Sequence, residues 1–267
     1  MNGMKVLFIG CGNMGRAIAD GILSRSIHAN TQITALVPPD SGSIEDLKEM
    51  GMEIIHELQD HNSFDVVVWS VKPQVLDQII AGYQGKFPTT SLMLSIAAGK
   101  TLNYFSEHFP DNAIVRTMPN LNAMVGQSIT GCIANRDLSE EQTDAANSII
   151  SAVGEVVWVQ DEDQIDAITA ISGSGPAYFF YFVELLEKAA KDLGLDPEVA
   201  AELALYTFVG SAETLIDADK AAGDLRTMVT SKGGTTDAAL KSFEASGLGE
   251  IVKKATKAAY KRAKELQ

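Results

Sequence analysis

Four apolar residues, Val6-Leu7-Phe8-Ile9, run directly into Gly10-Cys11-Gly12-Asn13-Met14-Gly15, after which Ala17, Ile18, Gly21, Ile22 and Leu23 recur at helical spacing. An order of strand, glycine turn and helix leaves few folds open. Each glycine of G-x-G-x-x-G then has a physical reason: the first makes the turn, the second lets a pyrophosphate approach the backbone, and the third lets helix and strand pack closely. The N-terminus of the following helix offers unpaired N–H groups to an anion. A dinucleotide suits this geometry.

The alternation continues. Strand-like runs fall at 33–37, 66–71, 92–97 and 114–118, with helices expected near 43–50, 74–81 and 101–108. The fold class expected is α/β, an N-terminal Rossmann-type, doubly wound parallel sheet followed by an all-α C-terminal domain. Val66-Val67-Val68-Trp69 and Leu92-Met93-Leu94 have the unbroken apolar character of central strands. Ligands of such sheets bind at the carboxyl ends of the strands, which singles out Ser70, Val71, Lys72 and Pro73, then Ala97, then Asn120. With Gly10, Cys11, Gly12, Asn13, Met14 and Gly15, these form the expected cofactor-binding set. At the end of the second strand the chain reads Leu36-Val37-Pro38-Pro39-Asp40-Ser41-Gly42-Ser43. An acid there favours NADH and serines can bond a 2′-phosphate, so both NADPH and NADH remain open.

After 156–159 the strand signal stops, placing domains at 1–160 and 161–267. A helix is expected from Ile165 to Ile171, broken at Ser172-Gly173-Ser174-Gly175-Pro176 because proline lacks an N–H and glycine weakens helices. Asp196-Pro197-Glu198 reads as a helix start. Ala177-Tyr178-Phe179-Phe180-Tyr181-Phe182-Val183 is apolar or aromatic on every face, which points to burial between subunits of a homo-oligomer; a central helix wrapped by its own chain is the alternative.

Near the end lies Ser231-Lys232-Gly233-Gly234-Thr235-Thr236-Asp237, a tight turn feeding a helix. Such a turn can hold a carboxylate or phosphate, although the same residues also make an ordinary capped turn. His28, His56, His61 and His108 all fall in the first half, and none is expected at a useful strand edge. A hydroxy-acid dehydrogenase needs a base, commonly His or Lys; an imine, whose nitrogen already carries the proton, needs only a positioned hydroxyl. Thr235 and Thr236 could supply it beside the anion-binding turn.

Composition narrows the partners. With 35 acids against 21 bases and a formal charge of −14, a nucleic-acid partner is disfavoured. Two distant cysteines, Cys11 and Cys132, provide neither a disulfide framework nor metal-ligand spacing, so no metal is expected and a reducing cytoplasm fits. No uninterrupted apolar stretch approaches a membrane-spanning length of about 20 residues, so no membrane partner is expected.

Taken together, the motifs resemble the pyrroline-5-carboxylate reductase family over essentially the full chain. The resemblance rests on Phe8 to Gly15, Val71-Lys72-Pro73, Ser95-Ile96-Ala97-Ala98-Gly99, Arg116-Thr117-Met118-Pro119-Asn120, Ser172 to Tyr178 and Gly233-Gly234-Thr235-Thr236. It implies NAD(P)H-dependent reduction of 1-pyrroline-5-carboxylate to L-proline and a homodimer assembled further into a decamer. It also implies that Ser231, Gly233, Gly234 and Thr235 hold the substrate carboxylate, with the catalytic Thr236 hydroxyl at the ring nitrogen. The chain departs from the family pattern at Lys232, where proline is common, and at Leu121-Asn122-Ala123, where Thr-Pro-Ala is common. A reductase of a related cyclic imine or short hydroxy acid, or a catalytically silent dinucleotide binder, are the alternatives.

Overall fold

The computed structural model describes residues 3–24, 31–59 and 63–267. Two compact units emerge, one of Met1–Ser174 with Ala259–Gln267, the other of Gly175–Ala258.

The first unit contains, in chain order, β1 (Lys5–Ile9), α1 (Asn13–Ser24), β2 (Gln32–Leu36), α2 (Ile44–Glu49), β3 (Glu53–Ile55), β4 (Val66–Trp69), α3 (Pro73–Ile79), β5 (Leu92–Ser95), α4 (Leu102–His108), β6 (Ile114–Met118), β7 (Ser128–Ala134), α5 (Glu140–Ser151), β8 (Gly154–Trp158) and α6 (Glu162–Ile168). The strands form one sheet in the order β3-β2-β1-β4-β5-β6-β7-β8. Alternation of side chains divides the core in two: Val6, Phe8, Val66, Val68, Leu92 and Leu94 go to one face, and Leu7, Ile9, Val67, Trp69 and Met93 to the other. Helices α1 and α5 cover the first face through Ile18, Ile22, Ile149 and Ile150. Leu76 of α3 and Phe105 of α4 cover the second. Because both faces are dry, the central strands are apolar along 6–9, 66–69 and 92–94, as their sequence suggested.

The expected all-parallel sheet is corrected at one edge. β3 to β6 are parallel throughout, but β7 runs antiparallel to β6, and β8 is parallel to β7. β7 was not expected because Thr130 and Gly131 interrupt its apolar pattern; Thr130 is nevertheless fully buried within the sheet.

The sheet unit also extends beyond the expected boundary at residue 160, and a buried ionic network accounts for this. Arg116 on β6 is 4% exposed at its side chain and places Nη1 2.6 Å from Glu162 Oε1 and Nη2 3.8 Å from Asp166 Oδ1. The same Glu162 oxygen accepts the Leu102 N–H at 2.8 Å, and the Gln267 amide donates to both Asp166 oxygens at 2.7 and 2.8 Å. Helix α6 and the last residues are thereby fastened to the sheet. The expected break after α6 is a π-helical turn, Thr169–Gly173, in which the Ser174 N–H reaches back to the Thr169 carbonyl at 2.9 Å.

The second unit is helical: α7 (Gly175–Asp192), α8 (Pro197–Asp217), α9 (Ala222–Met228), α10 (Thr235–Ala245) and α11 (Leu248–Glu265), whose end belongs to the sheet unit. Asp196 caps α8 by accepting the Glu198 N–H at 2.9 Å, with Pro197 at the first helical position. Phe179 meets Phe208 across α7 and α8 as a tilted ring pair, yet Phe180 is 56% and Tyr206 68% exposed. In α7 only Gly175 and Pro176 are buried. So much uncovered aromatic surface marks an interaction face. Among the described residues α8 alone, at 21 residues, is long and apolar enough on average to pass a membrane-spanning test of length and composition, although Glu198, Glu202 and Glu213 interrupt its apolar run. Scattered glutamates hid this in the sequence, because they break the apolar run without lowering its average much.

Arg116→Met should cost about 3 kcal/mol of stability at pH 7, since it leaves Asp166 buried without its cation. Burial already holds the Asp166 carboxyl above its usual value, partly offset by the Gln267 amide and Arg116. The stability associated with a raised carboxyl is full below its unfolded value of about 4 and is lost as pH rises through the native value. The variant raises that native value further, so its deficit should shrink as pH falls from 7 to 4.5. Denaturant midpoints at fixed protein concentration read both effects.

Candidate active site

Strand order reverses between β1 and β4, and the loops at their carboxyl ends enclose a cleft of about 730 Å³. Gly10, Cys11 and Gly12 follow β1; Val37, Pro38, Pro39 and Ser41 follow β2; His56 follows β3; Ser70, Val71 and Lys72 follow β4. Ligands of open α/β sheets bind at such a reversal.

The glycine turn is built by close approach. Gly10 has φ +71°, and a Cβ there would lie 2.4 Å from Val71 Cγ1. Its N–H donates to the Leu36 carbonyl at 3.0 Å. The Ser70 hydroxyl faces the carbonyls of Gly10 at 2.7 Å and Ile9 at 3.2 Å, tying the turn to β4. A Cβ on Gly15 would come 3.0 Å from Ser70 Cβ, which explains how closely α1 sits on that strand. Gly12 is different: nothing lies within 4 Å of its missing Cβ, so the backbone is bare toward open space. The first turn of α1 carries no acid, and the described residues lining the cleft include Lys72 and His56 but no carboxylate. Bare backbone, a positive helix end and an acid-free lining fit an anionic dinucleotide. Burial pushes the Cys11 thiol up to about 12, with Arg16 acting in the opposite direction, so the turn holds a neutral thiol.

Of the expected cofactor residues, Gly10, Cys11, Gly12, Ser70, Val71 and Lys72 meet in this cleft. Gly15 lies behind it against Ser70, and Pro73 opens α3 with Lys72 as its cap. Asn13 lines a separate cavity of about 400 Å³ beside Arg16, while Met14 packs on the core. Ala97 is buried in the second core cluster. Asn120 is also buried; its Oδ1 accepts the Asn122 N–H, and its Nδ2 donates to the carbonyl and hydroxyl of Ser172, each at 3.1 Å. Its amide thus holds the π-helical turn. Sequence reasoning placed no histidine at a strand edge, and His56 corrects this. β3 has only three residues, too few to show a pattern, yet it delivers His56 to the cleft with Nδ1 2.8 Å from the Val37 carbonyl. His108 instead bonds the Tyr104 carbonyl through Nδ1, and His28 and His61 lie outside the described residues.

In the helical unit, Gly234 caps α10, and Thr235 and Thr236 are its first residues. A Cβ on Gly234 would stand 2.5 Å from the Ser231 hydroxyl. The Gly234 N–H donates to the Ser231 carbonyl at 2.9 Å, and the Gly233 N–H to Asp237 Oδ2 at 2.8 Å. Both glycine donors are therefore engaged within the loop. Lys241 also binds Asp237 at 2.8 Å and, with the Gly233 N–H, holds that carboxyl below its usual range. Among the described residues, the hydroxyls of Thr235 and Thr236 have no side-chain hydrogen bond inside the chain.

A six-strand parallel core with its cleft at the strand reversal defines a dinucleotide-dependent oxidoreductase of the Rossmann class. A family model described as NADP oxidoreductase, coenzyme F420-dependent, matches residues 5–99, and one for pyrroline-5-carboxylate reductase dimerisation matches 162–266. The pyrroline-5-carboxylate reductase of Pseudomonas aeruginosa is 36% identical over 100% of this chain and 98% of its own. That of Synechocystis is also 36% identical, over 97% and 96%. Among solved structures, the Coxiella burnetii pyrroline-5-carboxylate reductase superposes with a TM-score of 0.89 at 35% identity, covering 100% of this chain and 99% of that one. The Plasmodium falciparum enzyme, crystallised with NADP bound, gives 0.84 at 27%, covering 100% and 99%. The chain belongs to the pyrroline-5-carboxylate reductase family.

Two valine substitutions should separate turn geometry from ligand contact. Gly10→Val forces a side chain into Val71 at positive φ and should lower the free energy of unfolding by about 2 kcal/mol or more, as read by denaturant titration. Gly12→Val should fold with nearly unchanged stability yet weaken NADH and NADPH binding at least about tenfold, as read by nucleotide fluorescence titration.

Proposed function

We propose that the first turn of α10 is where this reductase meets its substrate. The chain is an NAD(P)H-dependent oxidoreductase that reduces 1-pyrroline-5-carboxylate to L-proline, the final step of proline biosynthesis. The reduced nicotinamide, when bound, supplies a hydride to the imine carbon. The remaining tasks are to hold the carboxylate and to keep a proton on the ring nitrogen.

The observation that carries this assignment is the pair of unpaired threonine hydroxyls at the start of an eleven-residue helix. Ser231, Gly233, Gly234 and Thr235 make the carboxylate pocket. Gly233 and Gly234 act mainly through shape, because their N–H groups already have partners; the Ser231 and Thr235 hydroxyls and the helix end provide attraction. Lys232, exposed beside the loop, adds positive charge near the carboxylate. The Thr236 hydroxyl bonds the ring nitrogen and orients the imine for attack, a role requiring no titrating base.

In the sheet unit, Gly12 and the start of α1 take the pyrophosphate, while Ser70 and Val71 fix the turn. Lys72 stands at the cleft edge with its charge toward the phosphates. Ala97 and Asn120 act on the cofactor indirectly, through the packing of the β5 loop and the π-helical turn. The residues from 161 onward serve substrate binding and dimerisation. The uncovered faces of α7 and α8 meet a second copy, and five such dimers form a decamer. Two buried free cysteines suit a cytoplasmic enzyme.

Loss of absorbance at 340 nm with pyrroline-5-carboxylate, run with NADH and with NADPH, tests the reaction; cofactor binding without oxidation would favour the silent binder. Thr236→Val should lower kcat by about a hundredfold while cofactor affinity stays within about twofold, since only the bond at the reacting nitrogen is lost. Phe180→Asp should shift the mass by sedimentation toward monomer, because it places a charge on the aromatic face of α7.

A further inference from the structure

We propose that Gln267 and Lys264 are positioning residues for hydride transfer: they fasten residues 264–267 as a strap across the loop that follows β5, and the strap fixes that loop against the nicotinamide half of the cofactor. The inference rests on the cleft being the dinucleotide site and on the reduction described above, and it adds residues that touch neither ligand.

The loop joins β5 to α4 at a carboxyl strand end. A dinucleotide lying across the strand reversal puts its adenosine on the β1–β2 side, which leaves the nicotinamide to the ends of β4 and β5. Both ends of the loop are tied. The Ala97 N–H donates to Ser95 Oγ at 3.2 Å, Lys100 pairs with Asp77 of α3 at 2.6 Å, and the Leu102 N–H reaches Glu162 at 2.8 Å. The middle is held differently. Gly99 has φ +73°, and a Cβ there would stand 2.5 Å from the Leu266 carbonyl oxygen and 3.2 Å from its carbon. Backbone lies on backbone. The Leu266 side chain is largely exposed, so the contact is made mainly by its peptide.

Helix α6 holds the strap in place. Asp163 pairs with Lys264 at 2.7 Å, and the same ammonium lies 5.0 Å from the centre of the Tyr260 ring. Asp166, 2% exposed at its side chain, accepts the Gln267 amide at 2.7 and 2.8 Å, while the Arg116 guanidinium stays 3.8 Å away. A buried carboxylate is costly without a donor, so Asp166 draws in Gln267, and Leu266 with it. Helix α6 therefore grips the loop twice, through Glu162 at the start of α4 and through Asp163 and Asp166 by way of the strap. Chain segments of this kind ordinarily fray, whereas this one is fastened over the place where alignment matters most. A misplacement of about 1 Å at a reacting centre can cost about a hundredfold in rate.

Stopped-flow single turnovers of the full chain with pyrroline-5-carboxylate and bound nucleotide, followed at 340 nm, read the hydride step directly. A nucleotide deuterated at the transferred C4 position, run in parallel, confirms that this step is the one observed. Gln267→Ala should slow it about tenfold and Lys264→Met about threefold, with nucleotide affinity within about twofold of wild type. Gln267→Lys, which restores a donor to Asp166, should recover the rate to within about twofold. Gly99→Ala should slow the same step, and combining it with Gln267→Ala should cost little more, because either change parts Leu266 from the loop. Thermal midpoints confirm that the variants fold. Unchanged hydride rates in Gln267→Ala and Lys264→Met, whatever their midpoints, or losses that add to that of Gly99→Ala, would overturn the strap alone. A wild-type chain that binds the nucleotide without oxidising it would overturn the reduction and the strap together.

Discussion

Both faces of the central sheet are sealed by apolar clusters, and the rest of the sheet unit follows from that constraint. Successive residues along 6–9, 66–69 and 92–94 go to opposite clusters, so none of these positions carries a polar group. Chemistry is confined to the ends of the strands. The reversal of strand order opens a gap between two of those ends, and the glycine turn brings backbone into it. Ser70 joins fold and site, because its hydroxyl fastens the turn while its Cβ sets how close α1 can come.

Electrostatics work on two scales. The chain carries a formal charge of −14, which would hinder an anionic substrate if charge acted only from afar. Screening limits exposed charges to about 10 Å in ordinary salt, whereas N–H groups and hydroxyls act at contact. Among the described residues the cleft lining holds no carboxylate, and in the helical unit Asp237 is paired with Lys241. An acidic surface is therefore compatible with anion binding at these two places.

The sequence made legible what local pattern encodes. β1, β2, β4, β5 and β6 announce themselves as apolar runs, and the Asp196-Pro197 start of α8 is chemical rather than tertiary. Features set by distant contacts were hidden. β3 is three residues long and exists because β2 offers an edge; His56 enters the cleft only through it. Thr130 and Gly131 look like a loop until β6 pairs with them. Asn120 was expected at the cofactor because it follows a strand, and only the fold shows its amide employed at Ser172. The glycines at 233 and 234 were recognised as a turn, but the partners of their N–H groups could not be read from spacing alone.

Cys11 sits inside the glycine turn, where modification would obstruct the dinucleotide directly. Burial leaves the residue 7% exposed and keeps it as the neutral thiol far above physiological pH. Peroxides and alkylating agents attack the thiolate, and attack also requires access. The glycine turn is thereby shielded from the thiol chemistry of its surroundings, although it carries a cysteine at its centre.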